Sequence, residues 1–68
     1  MTRQTYTCRR FSSVGNFHYS ADFSQSSSPI SVRFTGDDDA PWQPVPFQVA
    51  DTGHSRSRAE KMIADYFR

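Results

Sequence analysis

The chain contains no leucine, one cysteine, one glutamate and three well-separated glycines. Each scarcity excludes something. Without leucine, a leucine zipper or a leucine-packed helical bundle has no seam to form. A lone Cys8 cannot close an internal disulfide, so a 68-residue fold has to hold by packing, by a partner or by oligomerisation. Gly15, Gly36 and Gly53 are too far apart to make a phosphate-cradling loop. No apolar run approaches the ~18 residues that a membrane span needs. Polar residues begin at Thr2, where a signal peptide would need an apolar stretch. The expectation is a soluble, cytoplasmic protein with no membrane role.

What replaces the aliphatics is aromatic. Ile, Val and Phe make up only 12 of 68 residues, a share that in a highly charged chain would signal disorder. The net charge is only +1, however, and six Phe, three Tyr and one Trp are present. Each of these rings buries roughly 150 to 250 Å², so a small aromatic core is within reach.

Two periods divide the chain. Tyr6 and Cys8 alternate with Thr5, Thr7 and Arg9, which predicts a strand over about 3–11. After turn residues 12–16, Phe17, Tyr19, Ala21 and Phe23 alternate with polar residues over about 17–24. Ile30, Val32 and Phe34 do the same over about 30–35. Val45, Phe47 and Val49 make a weaker fourth run over 43–49. Pro44 and Pro46, two residues apart, lack their N–H groups on one side of that strand, which predicts an edge. From about 56 to 67 the period becomes helical, with Ala59, Met62, Ile63, Tyr66 and Phe67 on one stripe and Arg58, Glu60, Lys61, Ala64 and Asp65 on the rest. Ser57 and Glu60 have the spacing of a capping box, with Asp51 or Thr52 as alternative caps of a longer helix. The fold class expected is α+β, one domain over 1–68. It has a three- to four-stranded antiparallel meander, with one C-terminal helix packed on its apolar face and the other face left polar.

The chemistry-bearing residues are few. Cys8, His18 and His54 lack the paired spacing of a metal site and lie on no recognisable nucleophile–base pattern; Cys8 falls on the inward phase of its strand and reads as a small core residue. No catalytic residue, metal or cofactor is expected. Asp37, Asp38 and Asp39 are adjacent carboxylates that repel one another unless solvated or met by cations. They read as a solvated turn, as a contact to a basic surface or, without the pattern of a calcium loop, as a weak cation site. Trp42 follows three residues later, as a core residue or as the anchor of an interface. The charges are segregated along the chain, with cations in 1–36 and 53–68 and four carboxylates in 37–52. If the meander forms, Thr5, Thr7, Arg9, His18, Ser20, Ser31, Arg33 and Thr35 share the open face, as an ordinary solvated surface or an anion-binding one. Arg56 and Arg58 stand at a helix N-terminus, where cations are disfavoured by the macrodipole. Solvation, the internal partners Glu60 or Asp51, or an external anion would each account for them.

A tiny α+β chain with aromatic strands, clustered aspartates and no catalytic set resembles, across its whole length, the small proteins of phages and mobile elements, among them the anti-CRISPR inhibitors. No motif carries the likeness. It implies a non-enzymatic, protein-binding inhibitor, monomeric or a small homo-oligomer, that binds a Cas protein or surveillance complex and blocks DNA binding or nuclease recruitment. In that setting Asp37, Asp38 and Asp39 would occupy sites that normally hold phosphates, with Trp42 as anchor. A reading of a different class is a small nucleic-acid-binding or regulatory protein that uses Arg9, Arg33, Arg56 and Arg58.

Overall fold

Alternation carries the first hairpin until a backbone distortion stops it. The computed structural model describes residues 4–13, 15–35 and 40–68. In it β1 (Gln4–Ser12) pairs antiparallel with β2 (Gly15–Ala21), with Tyr6 opposite Tyr19, Thr7 opposite His18 and Cys8 opposite Phe17. The register then shifts between Cys8 and Ser12. Arg10 lies in the left-handed region at φ 55°, and its N–H donates to Asn16 Oδ1 at 2.8 Å. The side-chain amide thus satisfies a backbone donor that the bulge takes out of the ladder. Gly15, at φ 108°, enters β2 in a conformation that a side chain rarely tolerates.

β2 ends at Ala21, three residues earlier than the alternation predicts. Asp22 is responsible. Its carboxylate accepts from the Ser24 amide at 3.1 Å and from the Ser24 hydroxyl at 2.5 Å, while its own N–H donates to Ser28 Oγ at 2.9 Å. These bonds turn the chain. Phe23 therefore leaves the strand, yet its ring still packs on the core at 5.5 Å from Tyr6 and 6.4 Å from Tyr19.

β3 (Pro29–Phe34) pairs with β2, placing Phe34 opposite Phe17, Arg33 opposite His18 and Ser31 opposite Ser20. β4 (Gln43–Gln48) pairs with β3 and completes a sheet of order β1-β2-β3-β4, the antiparallel meander expected. β4 is an edge strand, in keeping with its two prolines.

Val49 does not extend β4. It begins a 3-10 turn (Val49–Thr52) in which Gln48 N–H donates to Asp51 Oδ2 at 2.8 Å and the buried Thr52 hydroxyl donates to the Val49 carbonyl at 2.7 Å. Gly53 and His54 follow in the left-handed region, at φ 63° and 60°. They turn the chain into α1 (Arg56–Tyr66). The cap is Ser55, whose Oγ accepts from the Arg58 amide at 3.3 Å. The expected capping by Ser57 with Glu60, and by Asp51 or Thr52 of a longer helix, is thereby corrected: the left-handed pair breaks the helix before Ser55, and Glu60 points into the sheet.

The core is Phe17, Tyr19, Ile30, Val32, Val49, Ala59 and Ile63, all fully buried, with Cys8 and Ala21 beside them. Helix α1 covers the sheet with Ala59, Ile63 and Ala64. That face is rotated from the predicted stripe. Ala64, assigned to the outside, is buried, and Tyr66, assigned to the inside, is 53% exposed. Its ring instead stands against Phe47 and Phe67, and Phe67 meets Phe34 edge-on at 5.0 Å. No helix among the described residues is long and apolar enough to cross a membrane.

Candidate functional site: the open face of the sheet

Because odd-numbered residues of β2 and even-numbered residues of β3 point into the core, their neighbours line the opposite face. Two rows cross that face. Thr5, Ser20, Ser31 and Pro44 are successive cross-strand partners, and so are Thr7, His18 and Arg33. In the second row Thr7 Oγ1 and His18 Nδ1 lie 2.9 Å apart, and His18 and Arg33 are both half-buried. Arg9 follows Cys8 at the point where the regular pairing ends and is exposed.

Trp42 lies over the first row. It is 41% exposed and, with Thr5, Ser20 and Ser31, lines an open depression of about 320 Å³. The core alternative for this residue is overturned. Even-numbered residues around the start of β4 point away from α1, and the core is already filled by Phe17, Tyr19, Ile30 and Val32. The open face thus combines one large aromatic ring, the hydroxyls of Thr5, Thr7, Ser20 and Ser31, a histidine and two arginines, Arg9 and Arg33. Among the described residues no carboxylate pairs with Arg33. Asp37, Asp38 and Asp39, the other half of the predicted partner-binding set, lie outside the described residues.

The four arginines proposed as an anion-binding group do not form one patch. Arg9 and Arg33 belong to the open face. Arg56 belongs to the other side, where its guanidinium stands 4.1 Å over the Tyr6 ring and its Nε donates to Tyr19 Oη at 3.2 Å. Tyr19 in turn donates to Glu60 Oε2 at 2.6 Å, and Arg56 approaches the same oxygen at 3.9 Å. Burial, opposed in part by Arg56, pushes the Tyr19 phenol well above its ordinary range and keeps it neutral. The charge of Arg56 is thus engaged by an aromatic ring, a phenol and a carboxylate, although its side chain is half exposed. Arg58 is exposed in the first turn of α1, with its guanidinium alongside Gly53.

Among the described residues no three His, Cys, Asp or Glu side chains are grouped to hold a metal ion. Cys8 is buried against the core, while His54 serves as a strut. Its Nδ1 lies 2.7 Å from the Phe23 carbonyl, which can only accept, so that nitrogen carries a proton, and Nε2 lies 3.2 Å from Ser26 Oγ. This tie fastens the β2–β3 turn to the joint before α1.

The hydroxyl rows and Arg33 were visible in the alternation alone. The Tyr6–Arg56–Tyr19–Glu60 cluster was not, although a glutamate falling next to the apolar stripe of a helix was the available signal. Compared with protein-family models, curated proteins and solved structures, the chain matches none.

Proposed function

We propose that the chain is a non-catalytic binding module that engages a protein partner through the open face of its sheet, with Trp42 as the anchor. The observation that carries this reading is the position of Trp42: the chain's one tryptophan lies on the polar face of the sheet instead of in the core. Tryptophan is enriched among interface residues that dominate binding energy. The aspartate triplet three residues upstream in the sequence supplies negative charge that favours a basic neighbour. In the light of the resemblance to anti-CRISPR proteins, the partner would be a Cas protein or surveillance complex, and binding would block its access to DNA or to a nuclease.

The test is affinity capture from the native host with wild-type chain, Trp42→Ala, and a variant in which Asp37, Asp38 and Asp39 are all Ser. Partner retention is expected to fall with Trp42→Ala while the circular dichroism spectrum is unchanged. Equal retention by wild type and Trp42→Ala removes the reading. A second function, nucleic-acid binding, is favoured by the row Thr7, His18 and Arg33 beside an aromatic ring. It requires oligonucleotide retention that weakens steeply with salt.

A further inference from the structure

We infer that the open face receives an extended partner segment of the pattern hydrophobic-x-acidic, running along β3, with the hydrophobic side chain in the depression beside Trp42 and the carboxylate on Arg33. This rests on the protein-binding reading above and names the chemistry of the partner. The spacing is the first reason. Ser31, which lines the depression, and Arg33 are two residues apart on one strand and face the same way. Same-side residues of an extended chain repeat every ~6.6 to 6.8 Å. A peptide lying parallel to β3 presents its own alternate side chains with that repeat, so a hydrophobic side chain over Ser31 places the same-side residue two positions later over Arg33.

Charge is the second reason. Arg33 is half-buried between strands, and among the described residues no carboxylate answers it. An arginine in such a setting favours a carboxylate, which its planar fork can bind through two hydrogen bonds. A polyanion fits less well. Three carboxylates, Asp37, Asp38 and Asp39, closely precede Trp42 in the sequence, and their charge disfavours a polyanion near the indole. A peptide with a single acidic residue avoids that repulsion, and basic residues beyond it would turn the triplet into an attraction.

The emission of Trp42 is a built-in reporter. It can be titrated with short peptides carrying Ile, Pro or Phe two residues before Glu, with matched peptides carrying Lys in place of Glu, and with a single-stranded oligonucleotide. At least one Glu peptide should bind about tenfold tighter than its Lys counterpart, the scale of one charge-assisted contact. Arg33→Glu should reverse that order and Arg33→Gln should abolish it, each with a native circular dichroism spectrum. If Arg33→Glu fails to fold, Arg33→Gln carries the test. The inference is overturned if Glu and Lys peptides bind alike, if no peptide binds, or if the oligonucleotide alone changes the emission. Trp42-dependent capture of a protein together with peptide binding that ignores Arg33 removes only the hydrophobic-x-acidic pattern. Loss of Trp42-dependent capture removes the binding-module reading itself.

Discussion

Replacing Tyr19 by Phe isolates the polar network that ties α1 to the sheet. The ring, fully buried and packed against Tyr6, Phe17 and Phe23, stays in place, and only the hydroxyl is lost. That hydroxyl donates to Glu60 at 2.6 Å and accepts from Arg56 at 3.2 Å. A hydrogen bond to a charged group is worth about 1.5 to 3 kcal/mol. The Glu60 side chain is 16% exposed and keeps Arg56 nearby, so part of the loss is recovered by solvent and by the cation. The expected cost is about 2 kcal/mol. A chain of this length has a total stability of about 3 to 10 kcal/mol. The corresponding fall in Tm is about 8 to 16 °C.

Urea and thermal unfolding followed by circular dichroism measure both quantities. In a double-mutant cycle with Glu60→Gln the two costs should be clearly less than additive, because both changes break the same bond. Alkali gives an independent check. The phenol is raised in the folded state, mainly by burial, so its contribution is complete below the ordinary tyrosine pKa of about 10 and is lost as pH rises from there through the folded value. The stability gap between wild type and Tyr19→Phe should therefore hold at neutral pH and close in strong alkali. A Tyr19→Phe variant within about 0.5 kcal/mol of wild type, the scatter of ordinary surface changes, would refute the network as a source of stability.

Two further outcomes follow from the local geometry. Ser55→Ala should cost about 1 kcal/mol through loss of the helix cap, whereas Ser57→Ala should be nearly neutral; chemical denaturation of the pair checks which serine caps α1. The Asp22 carboxylate is held below its ordinary range chiefly by the Ser24 hydroxyl, with the Ser24 amide adding to it. Its contribution is present above the ordinary aspartate pKa and disappears as pH falls through the folded value, so Asp22→Asn should flatten the acid limb of a stability-versus-pH curve.

The strands and the helix were legible because each buries one face, and period two or period 3.6 records that directly. Tyr6, Cys8, Phe17, Tyr19, Ile30, Val32 and Phe34 all follow the phase that their alternation assigns. Misreadings cluster where a side chain overrides the period. Asp22 captures its own downstream backbone and ends β2 before Phe23. Gly53 and His54 take left-handed conformations that move the cap from Ser57 to Ser55. Tyr66 looked internal on a helical wheel, but α1 is rolled toward Ala64, and Glu60 is drawn in by the Tyr19 hydroxyl. For the site, alternation supplied the hydroxyl and arginine rows. The side on which Trp42 falls depends on the pairing of β4 with β3, which no local pattern encodes.

The order in which the sheet and the helix occur in the chain has a consequence for biogenesis. All four strands pair only with sequence neighbours, so the meander can form from local pairings at little loop-closure cost. The residues that cover it, Ala59, Ile63 and Ala64, are made after β4. Until they dock, the aromatic and aliphatic face of the sheet, with Phe17, Tyr19, Ile30 and Val32, stays uncovered. The prolines of β4 then protect one edge of a sheet whose face is still uncovered.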